Sequence, residues 1–330
     1  MNTTIIAFFN NKGGVGKTSL VYHLAWMYSD LGFRVVAADL DPQANLTAAF
    51  LDEDRLEELW PDGNHPNTVF GCVQPLIRAI GDIANPHLEY VADQLAFLVG
   101  DLSLSGFEDQ LSEVWPKCMD GDERAFRVIS AFWMMMQKTA VVHKADVILM
   151  DLSPNLGAIN RAALIAADYV VVPLSPDLFS LQGLRNLGPT LRRWRENWKE
   201  RLGKNPAEDL KLPTGSMQPV GYIVLQHSVR LDRPVKAYNR WIDRIPVVYR
   251  DAVLAQPGDN GISVVNDPNS LALLKNYHLM QMAQEARKPI FHLKPADGAI
   301  GARTKAVKNV YQDFKVLAHK IAERTGINMS

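Results

Sequence analysis

The chain has 330 residues, enough for one large domain or two small ones at about 150 residues per domain. With 47% hydrophobic and 22% charged residues its composition is that of an average globular protein, which excludes disordered, fibrous and low-complexity classes. The formal charge of −1 conceals a division: residues 1–176 carry 11 Lys and Arg against 22 Asp and Glu, net −11, and residues 177–330 carry 24 against 14, net +10. The C-terminal half is therefore a candidate surface for a polyanion. Cys72 and Cys118 form no CxxC pair, so a disulfide framework, a zinc ribbon and an iron–sulfur cluster are excluded. No run of 18 uncharged apolar residues occurs and residues 1–10 carry no basic leader, so a soluble, cytoplasmic protein is expected.

Residues 4–9 are an apolar run that leads into a Gly-rich turn, and residues 18–31 then show helical apolar spacing at Leu20, Leu24, Met27 and Leu31. Gly32 ends that helix, and a second apolar run at 33–38 stops at Asp39, Asp41 and Pro42, which completes a βαβ unit. Further buried strands are predicted at 96–100, 146–151, 169–173 and 220–226, mostly with helical patterns between them. This alternation predicts an α/β fold with a doubly wound, mostly parallel sheet covered by helices on both faces, and a single domain over 1–330. Residues 48–144 read as a helical elaboration around one strand, with an acidic cluster at Asp52, Glu53, Asp54, Glu57 and Glu58; within it, 126–142 is predicted as a core helix. Residues 203–219 read as a surface loop. The last helix, 305–324, has one apolar stripe at 307, 310, 311, 314, 317, 318 and 321 and is expected to dock on the domain.

The strongest chemical signal is the segment Asn10, Asn11, Lys12, Gly13, Gly14, Val15, Gly16, Lys17, Thr18, Ser19, placed between a strand and a helix. Small residues let successive backbone N–H groups turn toward a phosphate at a helix N-terminus, a lysine reaches its terminal oxygens, and a hydroxyl serves Mg²⁺. Gly13, Gly14 and Gly16, then Lys17, then Thr18 supply these functions. Asn11 stands where the general phosphate loop has its first glycine, and Lys12 follows it.

That departure resembles the deviant Walker A motif, KGGVGKT, of the ParA/MinD ATPases. The resemblance implies a P-loop NTPase that uses ATP and Mg²⁺, with Asn11 to Ser19 binding nucleotide and Lys12 reaching the partner subunit's phosphates across a nucleotide-sandwich homodimer. Asp39, Leu40, Asp41, Pro42, Gln43, Ala44 and Asn45 resemble the family's switch segment, which makes Asp41 the carboxylate that orients water and Asp39 one near the metal. The run 148–151 followed by Ser153, Pro154, Asn155, Leu156 and Gly157 resembles the Walker B region, with Asp151 as a further Mg²⁺ residue beside Thr18 and with Ser153 in place of the family's first proline. The segments 167–174 and 181–184 also resemble the family, and Gln226 and Pro246 are the positions expected to contact the base.

Two basic stretches, 185–204 and 230–250, carry seven and six Lys and Arg. ParA-type proteins bind DNA without sequence preference as ATP-loaded dimers, so the resemblance implies DNA contacts at Arg192, Arg193, Arg195, Arg230, Arg233 and Lys236, release by a ParB-like activating partner, and nucleoid association when ATP is bound. A MinD-like or cargo-positioning ATPase that works without DNA is the alternative, and membrane binding is not expected.

Overall fold

The computed structural model describes residues 3–226, 240–257, 261–275 and 279–329, without the side chains of Gln226 and Lys275. The expectations placed on Arg230, Arg233, Lys236 and the Gln226 side chain lie outside the described residues. Among these, the strands β1 (Thr4–Phe8), β2 (Val35–Asp39), β3 (Glu89–Ala92), β4 (Leu95–Leu98), β5 (Val147–Asp151), β6 (Tyr169–Leu174), β7 (Gln218–Gln226) and β8 (Ser270–Lys275) form one sheet. Its order is β3-β4-β2-β5-β1-β6-β7-β8. All pairings are parallel except β3 with β4. Parallel strands buried on both faces read as unbroken apolar runs, and every residue of β2 and β5 is buried.

Alternation along β1 separates two cores. Ile5, Ala7 and Phe9 face the helices of one layer; Ile6 and Phe8 face the other. The first layer includes α4 (Val69–Ile77), α5 (Phe107–Lys117), α6 (Glu123–Ile129), α7 (Ala131–His143), α8 (Ala158–Ala166) and α9 (Leu178–Leu202). The second is built on α1 (Lys17–Asp30) and the C-terminal helix Ala302–Thr325. The expected stripe on that last helix is largely the buried one: Val307, Val310, Phe314, Leu317, Ala318 and Ile321 are buried, and Tyr311 is half-buried. Cys72 and Cys118 are free, buried thiols, each pushed up to about 12 by burial.

Two expectations are corrected. The elaboration contains two strands, not one: β3 folds back on β4 as an antiparallel hairpin at the sheet edge. The predicted helix 126–142 is two helices, α6 and α7, that meet at Ser130, although its Phe132, Met135 and Met136 are buried as expected. The acidic cluster also acquires a structural account. After the short helix α2 (Asn45–Phe50), Asp52 caps α3 (Glu53–Leu59) by accepting the Arg55 N–H at 2.9 Å, and Glu53 and Asp54 sit in the first turn, where negative charge favours a helix N-terminus. Arg55 also bridges Glu58 and Glu89.

Candidate active site

The site lies at the carboxyl ends of β1, β2 and β5, where an open α/β sheet leaves a crevice. Register pairs Phe8 with Asp151 and Asp39 with Asp151, so both carboxylates stand side by side under the loop that leaves β1. Asn10 fixes the loop's start: fully buried, it donates Nδ2 to the Pro173 carbonyl at 2.7 Å and accepts the Lys12 N–H at 3.0 Å. Gly14 and Gly16 take positive φ, 70° and 80°, which turns the backbone into the first turn of α1. Lys17, the first residue of α1, is buried, and its ammonium points at the Lys12 carbonyl 3.5 Å away. Burial lowers its pKa, opposed by the charges of Asp151 and Asp41.

Below the loop, the Thr18 hydroxyl donates to Asp151 Oδ2 at 2.6 Å, and Asp151 Oδ1 is buried without a hydrogen-bond partner. An orphaned carboxylate oxygen next to a hydroxyl at a phosphate loop is the donor set Mg²⁺ takes, so the residues fit that ion. Among the described residues no three His, Cys, Asp or Glu side chains converge into a cage, which suits a cation held chiefly by phosphate oxygens and water.

Asp39 is placed differently. Its Oδ2 accepts both the backbone N–H and the hydroxyl of Thr47 at 2.8 Å each, and its Oδ1 accepts the Asp41 N–H at 3.2 Å. Asp39 therefore anchors the switch segment and the start of α2. Gly100 closes this arrangement by donating its N–H to the Thr47 hydroxyl at 2.8 Å, and a Cβ there would stand 2.8 Å from Asp39 Cγ. Asp41 accepts the Gln43 N–H with one oxygen at 3.0 Å and lines the cavity.

The Walker B loop is held without the family's first proline. Asn160 donates to the carbonyls of Ser153 and Asn155 at 2.8 and 2.7 Å, and the Glu108 carboxylate accepts the N–H groups of Ala158 and Ile159 at the N-terminus of α8.

One cavity of about 700 Å³ gathers Gly13 to Ser19, Asp41, Gln43, Asn45 and Pro154. Its far wall is Tyr22, Met280, Ala283, Gln284, Arg287 and Lys288, which sequence reasoning did not identify. Pro246, expected at the base, does not line it: the residue is buried in the short helix Ile245–Val248, which contacts α9. Lys12 and Asn11 also lie outside the lining residues. Lys12 is on the rim, its ammonium paired with Asp177, the N-cap of α9, and both side chains are about a quarter exposed. Asn11 Oδ1 is buried and unpartnered.

Burial raises the carboxyl of Asp39 to about 7 and that of Asp151 to about 8, with repulsion from Asp41 adding to the first and from Asp39 and Asp41 to the second. Because these folded-state values exceed the ordinary 3.8, the folded protein binds protons more tightly than the unfolded chain, and this contribution to stability is lost as pH rises from about 4 toward 8. Mg²⁺ should offset that loss. We expect it to raise the melting temperature more at pH 8 than at pH 6, where protons compete for the same oxygens; equal shifts at both pH values, read by differential scanning fluorimetry, would contradict the placement.

The family model described as an AAA domain matches residues 3–204. Protein IncC of Escherichia coli is 32% identical over 196 residues, covering 59% of this chain and 47% of IncC. The chain spans about half the length of the first curated relatives it matches. Two solved structures share the fold at low identity: a protein from Corynebacterium diphtheriae, with TM-score 0.69, 22% identity and coverage of 98% and 99% of the two chains, and a putative plasmid partition protein from Borrelia burgdorferi bound to AMPPNP, with TM-score 0.59, 16% identity and coverage of 97% and 99%. Together with the phosphate loop, the family match shows that the chain belongs to the AAA domain family, of the ParA/MinD type.

Proposed function

We propose that this protein is a Mg²⁺-dependent ATPase whose ATP-loaded form is a sandwich homodimer that binds DNA without sequence preference and releases it after hydrolysis stimulated by a ParB-like partner. The observation that carries this reading is the division of labour between two lysines on one loop. Lys17 is buried inside the cavity, whereas Lys12 stands on its rim, outside the lining of its own phosphate site and tethered to Asp177. A lysine so placed is available to a neighbouring subunit's phosphates, where a second cation stabilises charge on the transferred phosphoryl group.

In this reading water attacks the γ-phosphorus, and the bond to the β-phosphate's bridging oxygen breaks to leave ADP. The loop N–H groups and Lys17 hold the β- and γ-oxygens. Thr18 and Asp151 would hold Mg²⁺, which supplies charge neutralisation on those oxygens when bound. Asp41 has one carboxylate oxygen engaged by Gln43 N–H, leaving the other to accept from the attacking water. Asp39 keeps Asp41 in place through the Asp41 N–H and locks α2 through Thr47.

Light scattering with and without ATP tests the reading. Wild type should dimerise with ATP and Lys12→Ala should remain monomeric; a wild type that stays a single subunit when loaded with ATP removes the proposal. DNA co-sedimentation in ATP against ADP separates it from a positioning ATPase that acts on protein cargo alone. Among the described residues no helix is long and apolar enough to cross a membrane.

A further inference from the structure

The structure turns two of the α9 arginines expected to meet DNA toward the protein itself. Arg192 donates to the Ala252 and Val253 carbonyls at 2.7 and 3.1 Å, and Arg195 is half-buried, its Nε buried without a partner. Arg201, on the same helix, stacks on the Trp115 ring at 4.0 Å and donates to the Trp115 carbonyl. Of the three expected contacts on α9, only Arg193 is exposed.

Basic charge of the C-terminal half is also presented by the last helix, beside the exposed Arg185, Arg193 and Lys199 of α9. Its apolar face is fixed on α1: Phe314 stacks on His23 with ring centroids 5.0 Å apart, and the Tyr28 hydroxyl donates to the Ala318 carbonyl at 3.0 Å. Its other face carries Lys305, Lys308, Lys315 and Lys320, with only Asp313 and Glu323 as acids on the helix. None of these four cations makes an ion pair among the described residues. From Lys305 to Lys320 the row runs roughly 22 Å at 1.5 Å per residue.

We propose that this outer face is a phosphate-contacting surface for duplex DNA, additional to any contact near residues 185–250; the proposal rests on the DNA-binding reading above. Lysine ammonium groups on flexible stems act as point charges that meet phosphates without reading sequence. A membrane partner would need an apolar face to insert, and here that face is buried on the protein, with Val316 the one large exposed apolar side chain of the helix. The last helix packs on α1, the helix that begins with Lys17 and Thr18, so the basic row is braced against the element that leaves the phosphate loop.

The test replaces four exposed or half-exposed lysines in the full chain: Lys305→Gln, Lys308→Gln, Lys315→Gln and Lys320→Gln together. Fluorescence anisotropy measures binding of a mixed-sequence duplex with ATP across salt concentrations. Affinity near 100 mM salt should fall at least about tenfold, and the slope of log affinity against log salt should become shallower by about 0.9 for each lysine in contact. Basal turnover without DNA and ATP-dependent self-association should remain at wild-type levels. Wild-type affinity and slope in the variant would overturn the surface while leaving the DNA-binding reading intact, and so would loss of binding to phosphatidylglycerol vesicles with DNA binding unchanged. Absence of DNA binding by wild type in every nucleotide state would remove both.

Discussion

Lys17→Ala is expected to lower ATP turnover by about 10³-fold or more, while the nucleotide-free protein stays folded with little change in stability. One preorganised donor aimed at developing charge is worth roughly 10²–10³ in rate, and a charged donor stands at the upper end of such effects. The structural cost is small because two terms oppose each other. Burial disfavours the ammonium, and the neighbouring Asp151 and Asp41 favour it. Removing the side chain relieves the first and forfeits the second; its one hydrogen bond, to the Lys12 carbonyl, is long at 3.5 Å. Lys17→Arg should also fail, because a planar fork does not replace a compact point charge in a cradle of backbone N–H groups. Phosphate release and thermal melting on the same samples check both halves. Wild-type turnover in Lys17→Ala would mean that the loop does not hold the reacting phosphates.

Much of this site is visible in the sequence because its parts are local. A strand, a Gly-rich turn and a helix N-terminus follow one another within 30 residues, and the carboxylates Asp39 and Asp151 each end an apolar strand. The elements that were not visible lack such signals. β8 reads Ser-Leu-Ala-Leu-Leu-Lys, six residues without a β-branched side chain, and the edge strand β3 leaves Tyr90 exposed, so neither stands out by period or composition. The break at Ser130 is equally silent, because apolar residues continue on both sides of it.

Within the site, what sequence alone did not show is the work done by distant partners. Asp39 is a plausible metal residue until Thr47 and Gly100 close on it, and Gly100 comes from the end of another strand. The far wall at Met280 to Lys288 is more than 250 residues from the phosphate loop and carries no motif. The arginines of α9 show a charge run but not its direction. Trp194 and Trp198 are buried on the inner face, so Arg195 flanks buried surface, and Arg192 finds carbonyls at the end of the π-helical turn Tyr249–Leu254.

That same contact predicts the largest single loss of stability, at Gly188→Ala. The α9 backbone approaches the π-helical turn so closely that a Cβ at position 188 would lie 1.9 Å from the Ala252 carbonyl oxygen, 2.4 Å from its carbon and 2.8 Å from Val253 Cα. All three are backbone atoms, so no rotamer change relieves the overlap, and the two segments must separate by about 1 Å or more to restore ordinary contact. Separation would also draw the turn's carbonyls away from Arg192, one helical turn further on, whose charged hydrogen bonds are worth roughly 1.5–3 kcal/mol. Overpacking of this kind costs about 1–3 kcal/mol, and the gain in helix propensity of Ala over Gly offsets only about 1 kcal/mol. The net expectation is a loss of about 3 kcal/mol, measured as a lower midpoint of denaturant unfolding at an unchanged slope. Gly106→Ala is the control, because nothing lies within 4 Å of a Cβ there and its φ is −66°; its midpoint should move by less than the equivalent of about 0.5 kcal/mol. Equal midpoints for the two variants would show that α9 and the turn do not meet as closely as described, and the inward hold on Arg192 would fall with that contact.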